Sequence, residues 1–153
     1  MTLNLVADFP ASLTLAQCRE AIGIGPTVAA RCLDIQYSPY YRKEKNEQKA
    51  SVGEINLFLI LAGYHPSWDL TCTYESQALP DLLVHEAPTG EAIKALRRTL
   101  GLSQASIAEQ LGYKLSSWKM KENQLKPASL KTAEHNLLLL LCCLHPSLTI
   151  SRK

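Results

Sequence analysis

Apolar residues recur along this chain in short runs bounded by polar caps and turn formers, a spacing that predicts helices. "LAQCREAIG" (15–23) follows Thr14, which makes a capping box with Gln17, and Gly23 supplies the stop. "PTVAARCL" (26–33) comes next, with Pro26 suited to a first helical position. Ser38-Pro39 predicts a third helix over "PYYRKEKN", with the serine as cap. Ser51 and Glu54 form another capping box, opening an apolar helix that runs to Tyr64 before His65-Pro66 ends it. Further on, "GEAIKALRRTLG" (90–101) places Ile93, Leu96 and Leu100 on one face, and Ser103 is positioned to cap "QASIAEQLG". A helix over "SSWKMKENQ" and a last one from about Ser129 to Leu144 complete the series. Period-two alternation at Trp68, Leu70, Cys72 and Tyr74, at Leu148 and Ile150, and at Leu3, Leu5, Ala7 and Phe9 predicts short strands that pair into a small ribbon.

The same order of elements occurs twice. Shifting residues 16–51 forward by 78 gives nine identities in 36 positions, among them Arg19/Arg97, Gly23/Gly101, Ala30/Ala108, Leu33/Leu111, Ser38/Ser116, Lys43/Lys121 and Glu44/Glu122. At an offset of 80, "NLFLILAGYHPS" (56–67) faces "NLLLLLCCLHPS" (136–147), with seven of twelve identical. Leucines match cheaply by chance; Asn, His, Pro and Ser at fixed offsets do not. Self-similarity at one spacing sets the architecture before any local feature is weighed. The expectation is an all-α chain of two tandem domains, residues 1–74 and 90–153. Residues 75–89, acidic and containing Pro80 and Pro88, read as the linker.

Composition excludes several classes. The longest apolar run, Leu137 to Leu144, is far short of the roughly 20 residues that cross a bilayer. The start of the chain lacks the basic region and continuous apolar core of a signal peptide, so a cytoplasmic protein is expected. Five cysteines form no C-x-x-C pair, which argues against a zinc site or a disulfide framework. Cys18, aligned with Leu96, and Cys142 and Cys143, inside the leucine run, read as small core residues. "GIGPTV" (23–28) lacks the third glycine and preceding strand of a dinucleotide site. His65 and His145 occupy equivalent positions before Pro-Ser, where helix termination explains them, and His85 and His135 have no ligand-spaced partner. Glu44 and Glu122 read as caps or as partners of a neighbouring lysine. No catalytic constellation, cofactor or metal is expected.

Charge is distributed unevenly. From Glu91 to Lys153 ten Lys/Arg stand against four Glu, whereas Glu75, Asp81 and Glu86 occupy the linker without a base. In the first copy the bases cluster at Arg42, Lys43 and Lys45. Localised positive charge, rather than the net +2, is the footprint of an anionic partner.

"LRRTLGLSQASIAEQLGYKLSSWKMKENQLKP" (96–127) resembles the helix-turn-helix of the Xre/Cro-like phage-repressor family. Leu102-Ser103-Gln104, Ala108, Leu111-Gly112, Trp118, Glu122 and Pro127 carry the likeness. Ala108 is small where two helices cross, and Gly112 ends the first of them in a left-handed conformation. The chain departs from the family pattern at Lys121, where an aromatic or apolar residue is usual, and at Gln124, where glycine is usual. The resemblance implies that Gln104 touches a phosphate, with the helix N-terminus adding its dipole. It implies that Leu115, Ser116, Lys119 and Met120 face base edges and that Lys114, Asn123 and Lys126 hold the backbone, with Ser117 and Lys121 in the same DNA-binding set. Trp118 points inward. In the first copy the aligned helix offers Ser38, Tyr41, Arg42 and Lys45, with Tyr40 in the place of Trp118, either to read DNA or as part of a dimer or scaffold module. This implies a sequence-specific regulator of double-stranded DNA from a phage, plasmid or other mobile element, repressing its own promoter, with its two readers on two half-sites as a pseudo-dimer or doubled again in a homodimer on a palindromic operator. The alternative is a protein-interaction module, an antitoxin or inhibitor of a host defence complex that keeps the same shape.

Overall fold

The computed structural model describes residues 2–123 and 130–153. It is mostly helical, with one two-stranded sheet. The first half contains α1 (Leu15–Ile22), α2 (Pro26–Leu33), α3 (Tyr37–Glu44), α4 (Val52–Ala62) and β1 (Trp68–Leu70). A 3-10 turn (Ser76–Ala78) and α5 (Leu79–Leu82) follow. The second half contains α6 (Gly90–Thr99), α7 (Gln104–Leu111), α8 (Leu115–Glu122), α9 (Thr132–Leu141) and β2 (Ile150–Arg152). Among the described residues no helix is long and apolar enough to cross a membrane.

Local chemistry sets most boundaries. Thr14 and Ser51 each cap reciprocally with Gln17 and Glu54, satisfying amides that the first helical turn leaves open. Thr89 and Ser103 cap α6 and α7 through Ala92 N and Ser106 N. Gly23, Gly63 and Gly112 end α1, α4 and α7 in the left-handed region. Asp34 does the same for α2 at φ 57, a conformation that Asp tolerates better than most side chains. That stop lets α3 begin at Tyr37 with Gln36 at the cap position, so Ser38 is a helical residue and not the expected cap. Its hydroxyl instead accepts from Arg42 Nη2 at 3.2 Å.

From Gly53 to Leu61, α4 is buried on every face, which marks a central helix rather than a surface one. It crosses α9, and the crossing is close. A Cβ built on Gly53 would lie 2.3 Å from Glu134 Cγ and 3.2 Å from its Cα. Two apolar clusters flank this crossing. One holds Cys18, Leu33, Tyr40, Leu57 and Phe58; the other holds Ile93, Leu96, Ile107, Trp118, Leu137 and Leu138.

The ends of each half cross over to the other. Leu3 sits in the second cluster, its amide bonded to Gln110 Oε1 and its carbonyl to Trp68 Nε1. Leu79, Leu83 and Leu148 sit in the first. Residues 75–89 are therefore no free spacer: Ser76 Oγ donates to the Ile22 carbonyl at 2.8 Å, Gln77 Nε2 reaches the Gly23 carbonyl, and Leu79 is fully buried. Leucines at 79, 82 and 83 outweigh the acidic composition of this stretch because each removes apolar area from water.

Pairing of β1 with β2 is antiparallel, with Trp68 opposite Arg152, Asp69 opposite Ser151 and Leu70 opposite Ile150. The N-terminal alternation forms no strand among the described residues. It is tied instead through Asn56, whose Oδ1 accepts from Val6 N and whose Nδ2 donates to the Val6 carbonyl. Asn136 holds Val84 in the same two-bond clasp. Cys18 is buried as expected, but Cys142 is half-buried and Cys143, beyond the end of α9 at φ 59, is exposed.

Candidate nucleic-acid interface

Helix α8 is held from inside by one buried carboxylate. Arg97 of α6 donates through Nε to Glu122 Oε2 (2.7 Å) and through Nη2 to Oε1 (3.0 Å), while Nη1 reaches the Leu102 carbonyl. Trp118, fully buried, donates from Nε1 to the same carboxylate, and Gln104 Nε2 adds a fourth bond at 3.1 Å. Burial pushes the Glu122 carboxyl up, but these donors outweigh it and hold the group below the ordinary carboxylate range. Two arms of a planar guanidinium on one carboxylate fix distance and angle together. Glu122 therefore pairs with Arg97, not with a neighbouring lysine.

The partner of this arrangement lies 78 residues earlier. Arg19 Nε and Nη2 donate to Glu44 at 2.8 and 3.2 Å, Nη1 reaches the Ile24 carbonyl, and fully buried Tyr40 takes the Trp118 position. The two half-buried guanidiniums thus hold α3 and α8 against α1 and α6 by the same set of bonds.

With Trp118 and Glu122 turned inward, the opposite face of α8 is left to solvent. Lys114, Leu115, Ser116, Lys119, Met120 and Asn123 are exposed, Met120 at 66%, and Ser117 is half-buried. On α3 the exposed residues are Tyr37, Ser38, Tyr41, Arg42 and Lys45. Tyr37 and Tyr41 stack with ring centroids 6.0 Å apart, and Lys45 Nζ lies 5.3 Å from the Tyr41 ring. Tyr37 was not among the residues picked from the sequence; its place one turn before Tyr41 was the available signal.

Two of the candidate residues do not join these faces. Lys121 is only 8% exposed, and its ammonium lies over the Tyr113 ring at 4.7 Å from the centroid. The position that the resemblance marks as aromatic or apolar is inward-facing here too, and a lysine fills it by laying its stem along the core. Lys43, its counterpart in the first half, is buried as well and donates to both oxygens of Glu54 at 2.6 and 2.7 Å. Gln104 is half-buried with its amide turned to Glu122, away from solvent. Lys126 lies outside the described residues.

The histidines before Pro-Ser are more than helix stops. His65 Nε2 meets Asn56 Oδ1 at 2.7 Å while Ser67 N donates to Nδ1, so the ring is neutral with its proton on Nε2. His145 repeats this with Asn136 and Ser147. Burial pushes both down to about 4. These imidazoles are engaged by the asparagines that clasp Val6 and Val84.

No family model matches the chain, and neither a curated protein nor a solved structure does.

Proposed function

We propose that this chain is a sequence-specific binder of double-stranded DNA, a transcriptional regulator built from two helix-turn-helix units in tandem. The observation that carries the reading is the outward face of α8. A short helix is locked from behind by Trp118 and Glu122, and presents Lys119 with Ser116, Leu115 and Met120 to solvent. A major groove is wide enough to admit a helix, and this set supplies donors for guanine, adaptable hydroxyls and apolar contact for a thymine methyl group. Lys114 and Asn123 flank it at positions suited to phosphate. Helix α3 offers a second such face, with Arg42 steadied by Ser38. Repression of its own promoter is part of the proposal and rests on the family resemblance.

The test is a mobility shift with the DNA upstream of its own coding sequence, at several salt concentrations. A complex at or below about micromolar protein, weakening steeply with salt and outcompeting unrelated duplex, supports the reading. Absence of any sequence-dependent complex, together with capture of one stoichiometric protein partner after nuclease treatment, would assign the chain to the protein-interaction class instead.

A further inference from the structure

The sheet register carries information about how the two outward faces are related. Leu70 and Ile150 stand directly opposite each other in the antiparallel pair, and they are also 80 residues apart. Asn56/Asn136 and His65/His145 share that spacing, and each pair makes the same bonds in its own half. Equivalent residues facing each other across an antiparallel ladder lie on a local two-fold axis. The reciprocal crossing of the ends obeys the same axis: Leu3 enters the second cluster, and Leu79, Leu83 and Leu148 enter the first. So do the contacts near the starts of α4 and α9. A Cβ on Gly112 would meet Val52 Cγ2 at 3.3 Å, while Thr132 Oγ1 donates to Asp34 Oδ2 at 3.4 Å. Asp34 and Gly112 each sit just before α3 and α8, so each of those helices begins beside the other half. A two-fold rotation also leaves them level along its axis.

The exposed residues of the two helices correspond one to one at a spacing of 78: Tyr37 with Leu115, Ser38 with Ser116, Tyr41 with Lys119, Arg42 with Met120, Lys45 with Asn123. Serine is the single identity. Behind them Arg19 with Glu44 and Arg97 with Glu122 keep one set of bonds, so both helices are held in the same way while their exposed faces differ.

We infer that one copy of this chain, without a second, reads an operator of two inverted half-sites that differ in sequence. This rests on the DNA-binding reading above. The axis inverts one half-site relative to the other, as in a homodimer on a palindrome, but the differing faces make the palindrome imperfect. Arg42 is fit for bidentate bonding to guanine; Met120, at the same place on the other face, is fit for a thymine methyl. Half-site centres are expected about one helical turn apart.

The experiment is selection of bound duplexes from a randomised pool by the full chain, followed by sedimentation of the complex with the selected DNA. The expected result is two enriched blocks in inverted orientation with different sequences, bound by one chain per duplex. Arg42→Met should change the preferred base, by roughly tenfold or more in relative affinity, in one block alone. Met120→Arg should do so at the mirror position of the other block alone. Both side chains are exposed, so neither change disturbs the core. Identical blocks bound by two chains, or blocks in direct repeat, would overturn this inference while leaving the DNA-binding reading intact. Failure to enrich any sequence would remove the DNA-binding reading itself, and this inference with it.

Discussion

Single side chains on α8 divide into those that hold the helix and those that face solvent. Lys119→Ala should lose discrimination at one base pair by about 1–3 kcal/mol, whereas Lys114→Ala should weaken all sequences alike and reduce the salt slope by about one. Binding titrations over a salt series against the selected duplex and a scrambled one separate the two; equal effects would mean that α8 does not read bases. Trp118 belongs to the other group. Buried and bonded to Glu122, its replacement by alanine should cost about 3–5 kcal/mol in chemical denaturation. Lys121 shows the limit of residue-level reasoning. Its charge nominates it for DNA, yet its position in the repeat and in the family pattern nominates it for the interior, and position prevails because the helix phase that buries Trp118 turns Lys121 toward Tyr113.

Among the elements, the α4–α9 crossing governs how the halves meet. Gly53 is required there not for its backbone freedom but for the absence of a side chain, since Glu134 occupies the space a Cβ would need. Gly53→Ala should destabilise by about 1–3 kcal/mol as the helices are forced apart. The melting temperature measures this, and an unchanged value would show that the crossing is loose. The capping boxes at Thr14 and Ser51 and the stops at Gly23 and Gly112 were legible in the sequence because each is settled within four or five residues. The start of α3 was not. Serine followed by proline is a good cap in isolation, but Asp34 turns the chain early and the helix is already under way at Ser38.

At the scale of the whole molecule, crossed ends make the two halves depend on each other. Residues 1–74 and 75–153 produced separately should each lack cooperative unfolding and regain it on mixing, by circular dichroism melts. Each fragment would leave apolar residues of its partner uncovered, among them Leu79 and Leu148 on one side and Leu3 on the other. Acid should act through the clasps. His65 and His145 are held near 4, below the ordinary 6.5, so the folded state keeps them neutral. Their contribution is complete above pH 6.5 and declines as pH falls from there toward 4, because the unfolded chain takes up protons that the folded one refuses. The loss is on the order of 3 kcal/mol for each at full protonation. His65→Asn with His145→Asn should flatten stability against pH in that window, measured by denaturant midpoints; an unaltered slope would place the acid sensitivity elsewhere.

Most helices and caps, and the twofold occurrence of one pattern, belong to the sequence alone, because they arise from contacts spanning a turn or from identities at a fixed spacing. What lies beneath the pattern does not. Pairing of Arg97 with Glu122 across 25 residues, of Leu3 with Gln110 across 107, and the burial of Leu79 and Leu83 in the first half's core depend on which apolar faces meet. The repeat announces two like units but leaves open whether they hang from a linker or interlock about an axis. Only tertiary packing chooses, since burying the crossed ends removes apolar surface that neither small unit covers by itself.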